Sequence, residues 1–312
     1  MKALNDLKIF VETARQGSFS RVAHSMNLTP AAVSASIKRM EQQLGFALFV
    51  RSTRSLRLTN EGEVMLDSAS QALETLQEGI DQIHQQRGEL AGQIYLSAPS
   101  DFGRNLLLDW IGEFMASHRN VTIKLSLSDS LTDLYSQPVD IAIRYGQPAD
   151  SRLIAMPLCL NNRRILCASP EYLAAQPGIH HPDHLRQHNC LCFMLADTLH
   201  NKWPLSLGSE MVTVTVEGSP SCNDGDLVRK LALQGKGIAN KSQLDVGEDL
   251  LAGRLVQVLP DWLGELAPLY MVYPDRRLIS PTIRAFQTFL QQQCQQHQQR
   301  ILASTSNQDT NR

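Results

Sequence analysis

The sequence predicts two architectures in one chain. An N-terminal all-α winged helix-turn-helix with a long helix behind it comes first, and a C-terminal α/β region follows. Three observations carry this. Apolar residues recur at three- and four-residue spacing through the first 44 residues and again from 66 to 83. Short alternating segments flank an arginine-rich turn between those stretches. Beyond Gly92, strand-like apolar runs alternate with amphipathic helices. At 312 residues there is room for two or three domains with cores of their own, and 43% hydrophobic content is ordinary for a globular protein.

The first helix is predicted over 3–16, with Leu4, Leu7, Phe10, Val11 and Ala14 on one face and Gly17 as a terminating glycine. Phe19, Val22, Ala23 and Met26 form the apolar face of a second, and Leu28 closes the turn. Thr29 is a good N-cap, and Pro30 suits the first helical position because its missing N–H would be unpaired there anyway. The third helix is expected to bury Val33, Ile37, Met40 and Leu44 and to end at Gly45. Its other face carries Ala31, Ala32, Ser34, Ser36, Lys38 and Arg39. A helix lying in a DNA major groove needs short side chains near base edges and cations near phosphates, in that order. A plain helical hairpin with a solvated face is the alternative.

Residues 46–59 read as a two-stranded wing whose Arg51, Arg54 and Arg57 have no acid among them, as suits phosphates or a minor groove. The DNA-binding candidates are therefore Thr29, Ala31, Ser34 and Lys38 for the major groove, and Arg39, Arg51, Arg54 and Arg57 for phosphates or the minor groove. Charge agrees: residues 1–58 hold nine Lys/Arg against three Asp/Glu, and residues 59–90 hold one against seven, within a chain of net charge −2.

Thr59 caps the next helix, predicted to about 86, with Glu61 and Glu63 where the helix dipole favours acids. Leu66, Ala69, Leu73, Leu76, Ile80 and Ile83 make a heptad seam. Leu66, Leu73, Leu76, Ile80 and Ile83 are expected to form a homodimer contact, with packing on the chain's own body as the alternative. A two-fold pair of recognition helices would read an inverted-repeat site on double-stranded DNA.

The run SFSRVAHSMNLTPAAVSASIKRMEQQLG at 18–45, followed by LFVRSTRSLRLTNEG at 48–62 and a long helix, resembles the LysR-type transcriptional regulators. The resemblance covers the whole chain in order and is most specific in the first ninety residues. It departs at Met40, where the family usually has Leu, and at Ile238-Ala239-Asn240-Lys241-Ser242, where the family usually continues apolar. A helix or a loop is expected after Gly237.

By that resemblance, residues 1–58 are a DNA-binding domain, 59–91 a linker and dimerisation helix, and 92–294 an effector-binding domain. The latter would have two periplasmic-binding-protein-like subdomains, about 92–161 with 268–294, and about 162–267. Residues 295–312, rich in Gln, Asn and Ser, are expected to be a flexible tail. A homodimer, going on to a homotetramer, and RNA polymerase as a candidate partner also follow from the resemblance.

Within 92–294 the pattern gives strands at 93–98, 121–127, 139–144, 165–169, 190–195, 211–216 and 268–273. Helices are expected at 102–117, 129–136, 170–176, 224–234 and 280–293, with parallel sheets. Ligands of such sheets sit at strand carboxyl ends near helix N-termini. Family members bind a small effector there, often a carboxylate or aromatic acid, and carried over by position the candidates are Ser100, Ser128 and Asn223. Arg144, just after a strand end, could pair a ligand carboxylate. Ser and Asn before helices can equally be plain N-caps. Asp101 and Asp129 would disfavour an anionic ligand unless they face away.

Rival functions find less support. No GxSxG elbow, phosphate loop or HExxH is present, and GKG at 235–237 follows a helix instead of opening one. No enzyme activity and no cofactor are expected. His188, Cys190 and Cys192 lack a second ligand pair, so buried structural thiols are favoured over a metal site. No signal-like apolar stretch follows Met1 and none approaches membrane-spanning length, so a cytoplasmic protein without membrane contact is expected instead of a solute-binding protein.

Overall fold

The computed structural model describes residues 2–51, 56–86, 90–129, 139–148, 150, 153–195, 198–273 and 279–309. The chain divides into two units, Met1–Gly88 and Glu89–Arg312.

In the first unit, α1 (Lys2–Gln16), α2 (Phe19–Ser25) and α3 (Pro30–Leu44) close around fully buried Phe10, Val22, Val33 and Ile37. The starts of α2 and α3 each satisfy an otherwise unpaired amide: Ser18 Oγ accepts from Arg21 N and Thr29 Oγ1 from Ala32 N. Gly45 ends α3 with a left-handed φ of +81°. The wing strands β1 (Phe49–Arg51) and β2 (Leu56–Leu58) pair antiparallel, Phe49 opposite Leu58. Arg54 and the side chain of Arg51 lie outside the described residues. Thr59 Oγ1 then accepts from Gly62 N at 2.9 Å, and α4 runs Asn60–Gln86. Gly62 is needed where it stands, because a Cβ there would come 2.2 Å from Leu48 O.

Three expectations are corrected here. Leu44 is exposed, whereas Ser36 is buried and donates to Asp6 Oδ1 at 2.6 Å. Leu66 and Leu73, expected at a dimer contact, pack with Met65 and Ala69 on the unit's own core. A three-helix core of this size leaves an apolar flank open, and the first half of α4 covers it. Leu76 is half-exposed, and the side chains of Ile80 and Ile83 lie outside the described residues.

The second unit is built on two main sheets. The first has five strands in the order β4 (Asn120–Leu127), β3 (Ala91–Ala98), β5 (Ile141–Tyr145), β16 (Leu269–Tyr273) and β6 (Ile154–Cys159). The second has four, β14 (Val256–Val258), β7 (Arg164–Ala168), β13 (Ile238–Ser242) and β8 (Cys190–Leu191). The expected parallel sheets are mixed: β3 runs parallel to β4 and β5, but β16 is antiparallel to β5 and β6, and β13 to β7. The chain leaves the first sheet after Cys159 and returns through Ala267. Buried Asn162 ties the two crossings by donating to Ala267 O at 2.6 Å and to Ser242 Oγ at 3.0 Å.

The polar run 238–242, expected to be a helix or loop, is strand β13 in the interior of the second sheet. Short pieces over β9 (Phe193–Leu195), β10 (Thr198–His200), β11 (Lys202–Leu207), β12 (Glu210–Thr215) and β15 (Leu263–Gly264) form two small sheets beside it. The helix expected at 129–136 falls largely outside the described residues.

Helices α5 (Ser100–Phe102) and α6 (Leu108–Ser117), joined by a π turn over Gly103–Leu107, cover the first sheet. There Phe102, Leu107, Trp110 and Phe114 enter its core. After α7 (Pro170–Ala174), helices α8 (Gly225–Leu233) and α9 (Gln243–Leu251) serve the second sheet through Val228, Ala232 and Val246.

The last helix, α10 (Pro281–Asp309), overturns the expected tail. Cys294, His297 and Ile301 are buried, and the ring of His297 meets Leu244 O at 3.0 Å. Ile301 packs so closely on Gly247 of α9 that a Cβ there would lie 2.3 Å from its Cδ1. Gln is a good helix former, so a Gln-rich stretch needs only a few buried anchors to order.

Ile301→Ala should cost about 2–4 kcal/mol in the denaturant unfolding of the second unit. A change near zero would mean that the end of α10 does not pack.

Candidate nucleic-acid face and ligand cleft

On α3 the buried stripe Val33, Ile37 and Met40 leaves Thr29, Ala31, Ala35, Lys38 and Gln42 exposed along the opposite side, with Ser34 half-buried at its margin. The stripe is narrow and small-sided at its start and basic one turn on. Arg39 is placed otherwise than expected. Its Nε and Nη2 donate to the two oxygens of Asp6 at 3.0 and 2.6 Å, so with Ser36 it ties α3 to α1. Arg57 stands exposed on β2. Ser36 could not be told from its neighbours by spacing alone, because a serine fits either face of a helix.

The second unit holds a cavity of about 160 Å³ between its two main sheets. Asp101, Asp129, Arg144 and Tyr145 line it from the first sheet's side, and Phe193, Val228, Asn240, Lys241 and Asp245 from the second's. Lys241 projects from β13, forms an ion pair with Asp101 and donates to Gly225 O at 2.8 Å. Burial pulls its ammonium pKa down, but Asp101 and Asp245 push it up further, so the group stays charged. Beside it Tyr145 OH donates to Asp245. Burial, reinforced by the Asp101 charge, raises the Asp245 carboxyl to about 7.

Of the sequence candidates, Ser100 and Arg144 fall at this cleft. Ser100 is buried; its Oγ donates to Asp129 Oδ2 at 2.5 Å and its N–H to Asp129 Oδ1 at 2.8 Å. Arg144 is buried and donates from Nη2 to Ser97 Oγ at 2.7 Å and from Nη1 to Ile143 O at 2.7 Å. The other two are corrected. Ser128 anchors the backbone, its N–H donating to Ala98 O at 2.9 Å, and it is Asp129 that reaches the cavity. Asn223 is exposed; the cap of α8 is Asp224, which accepts from Leu227 N at 3.0 Å.

Lys241, Tyr145 and Asp245 were not singled out by sequence. The one signal was the polar run Asn240-Lys241-Ser242 after Gly237, where an apolar continuation was expected. Both aspartates that were expected to matter only if they faced inward do so. Asp101 is matched by Lys241, and Asp129 by backbone amides.

The rim is ionic as well. Arg104 Nη1 meets Asp224 at 2.9 Å, and Arg229 bridges Asp249 at 2.6 Å and Asn105 at 3.0 Å. Away from the cleft, Cys190 and Cys192 are buried and burial raises both thiols, Cys190 to about 12. Among the described residues no group of three His, Cys, Asp or Glu side chains could hold a metal ion, and no helix is long and apolar enough to cross a membrane.

Comparison with known proteins agrees with this arrangement in both units. The profile described as "Bacterial regulatory helix-turn-helix protein, lysR family" matches residues 4–63, and that of the "LysR substrate binding domain" matches residues 87–295. Relatives include the transcriptional activator TtdR of Escherichia coli strain K12, 35% identical over 93% of each chain. The regulator DmlR of the same strain is 33% identical over 94% of this chain and 95% of its own. Among solved structures, the full-length Vibrio cholerae virulence activator AphB is 29% identical with a TM-score of 0.56, covering 92% of this chain and 98% of that one. CrgA from Neisseria meningitidis, a LysR-type regulator, is 28% identical with a TM-score of 0.61, covering 93% and 98%.

Two measurements probe the cleft. An Asp carboxyl near 3.8 in the unfolded chain and about 7 when folded takes up a proton on folding between those pH values. Its contribution to stability is therefore full below about 4 and is lost as pH rises through 7. Asp245→Asn keeps an acceptor for Tyr145 and removes the titration. The variant should unfold like the parent below about pH 4, draw ahead of it as pH rises, and be more stable at pH 8 by on the order of 4 kcal/mol. Parallel curves for the two proteins would refute the assignment. Separately, Lys241→Met strands a buried carboxylate and should cost about 3–5 kcal/mol, part of which Asp101→Asn in the same chain restores. Simple additivity of the two substitutions would show that the pair is not coupled.

Proposed function

The chain belongs to the LysR family of bacterial transcriptional regulators and carries that family's effector-binding domain, and from this premise we propose how it works. The protein binds double-stranded DNA at an inverted-repeat promoter site. α3 lies in the major groove through Thr29, Ala31, Ser34 and Lys38, and Arg57, with Arg51 and Arg54, follows phosphates or the minor groove. Arg39 acts indirectly, by holding α3 against α1. Residues 59–91 form the linker through which two copies pair, as a homodimer or homotetramer. Because Leu66 and Leu73 serve the unit's own core, the pairing falls to Leu76 and the seam beyond it. The protein works in the cytoplasm and is not an enzyme.

A small-molecule effector binds in the cavity between the two main sheets of the second unit. Its binding shifts the closure of the two subdomains, which alters the spacing of the DNA-binding heads in the oligomer and so the bend of the promoter. The observation that carries the proposal is the exposed face of α3, small-sided first and basic next, over a buried apolar stripe. Members of the family bind DNA and small effectors and act as oligomers.

The test is a binding isotherm on the DNA upstream of the protein's own gene, repeated across salt concentrations. Arg57→Ala should weaken binding to every sequence and lower the log–log salt slope by about one. Ser34→Ala should act more on base preference. Binding that is weak and unselective even at low salt would overturn the proposal.

A further inference from the structure

Asp129 reaches across from the first subdomain to the second. β4 ends at Leu127, and the Ser128 N–H bond to Ala98 O sets the backbone so that the next residue faces the start of α5. Both oxygens of Asp129 are then engaged. Oδ1 accepts from Ser100 N at 2.8 Å. Oδ2 accepts from Ser100 Oγ at 2.5 Å and from Gly225 N at 3.0 Å. Gly225 opens α8, on the second sheet's side of the cavity, and its N–H is shared with Ser100 Oγ at 2.8 Å. One carboxylate thus collects a hydroxyl and two main-chain amides from opposite walls of a cleft.

This donor set is what an acid ligand would need in order to draw the walls together. Amides at helix starts favour negative charge, and charge-assisted hydrogen bonds are stronger than neutral ones. The chain supplies the anion itself. A second carboxylate brought to the same amides would have to displace Asp129 or sit against its charge, and like charges at that distance repel.

We infer that Asp129 is a resident carboxylate that fills the anion seat of the cleft. It clamps the two subdomains from within, and it excludes acid groups of an effector from that end of the cavity. Resting on the assignment of the cavity as the effector site, this narrows the ligand class: the part of the effector beside Asp129 is a hydrogen-bond donor or neutral, and any acid group it carries lies away from Asp129.

The experiment is chemical rescue of full-length Asp129→Ala, followed by thermal unfolding. Truncation empties the seat without moving its donors, so the variant should unfold about 5 °C below the parent. Sodium formate in the tens of millimolar should restore half or more of that loss and saturate. Formamide, of the same size but uncharged, and sodium chloride at matched ionic strength should not, and formate should leave the parent unmoved. If the variant does not fold in plain buffer, the same solutes are compared by recovery of soluble protein on refolding.

Formate acting no better than formamide or chloride, or stabilising parent and variant alike, overturns the inference. So does failure of all three to recover an unfolded variant. The effector assignment fails separately: it falls if no small molecule changes the parent's DNA binding, whatever formate does to the variant.

Discussion

A single buried ammonium organises the second unit. Lys241 projects from an interior strand of one sheet into a space where a bare charge would be prohibitively costly, so it must meet a carboxylate. That carboxylate, Asp101, belongs to the helix start on the other sheet. Neutralising the charge and closing the cleft are consequently the same event. With Asp245 nearby, two buried acids face one lysine, and the proton that Asp245 holds up to about pH 7 removes the excess charge while leaving an acceptor for Tyr145.

Around the cavity the contacts joining the two sides are of this polar kind, whereas away from it Ile301 packs on Gly247 and Leu244 enters the first sheet's core. Asp129 with Ser100 and Gly225, Arg104 with Asp224, and Arg229 with Asn105 all cross the boundary. The apolar cores stay largely on their own sides, one around Phe102, Phe114 and Phe286, the others around Trp203 and Val246. An interface of hydrogen bonds and ion pairs can part without exposing a large apolar surface, since water replaces most of what is lost. An apolar seam could not. At the cavity, the composition of the boundary would therefore let the walls part at little apolar cost. In the first unit an ionic tie does the opposite work. Asp6 takes both Arg39 and Ser36, and fixes the angle at which the bare face of α3 is presented.

Much of this was legible in the sequence, and the failures have physical causes. Helix starts at Thr29 and Thr59 and the stop at Gly45 follow from local chemistry that tertiary structure has no reason to override. The seam on α4 was a true apolar stripe with two candidate partners, and spacing cannot choose between a second chain and the chain's own core. The Gln-rich end of α10 misleads because three anchors, Cys294, His297 and Ile301, suffice to order a stretch whose average composition is polar. Ser128 and Asn223 misled for a related reason. Position beside a helix start was legible, but which of two adjacent polar residues takes the hydrogen-bonding role depends on backbone placement, and in both pairs it fell to the aspartate.

The strand β13 shows why such departures repay attention. Interior strands of covered sheets ordinarily read as apolar runs, and Ile238-Ala239-Asn240-Lys241-Ser242 does not. Each polar member has a task there. Asn240 lines the cavity, Lys241 bridges to Asp101, and Ser242 bonds Asn162 where the chain crosses between the sheets. A sequence free to choose for stability alone would place valines at these positions, and the residues that replace them touch either the cavity or the crossing between the sheets. The same inference extends to Asp129: a carboxylate spent on three donors that water could have satisfied is best explained by what it keeps out.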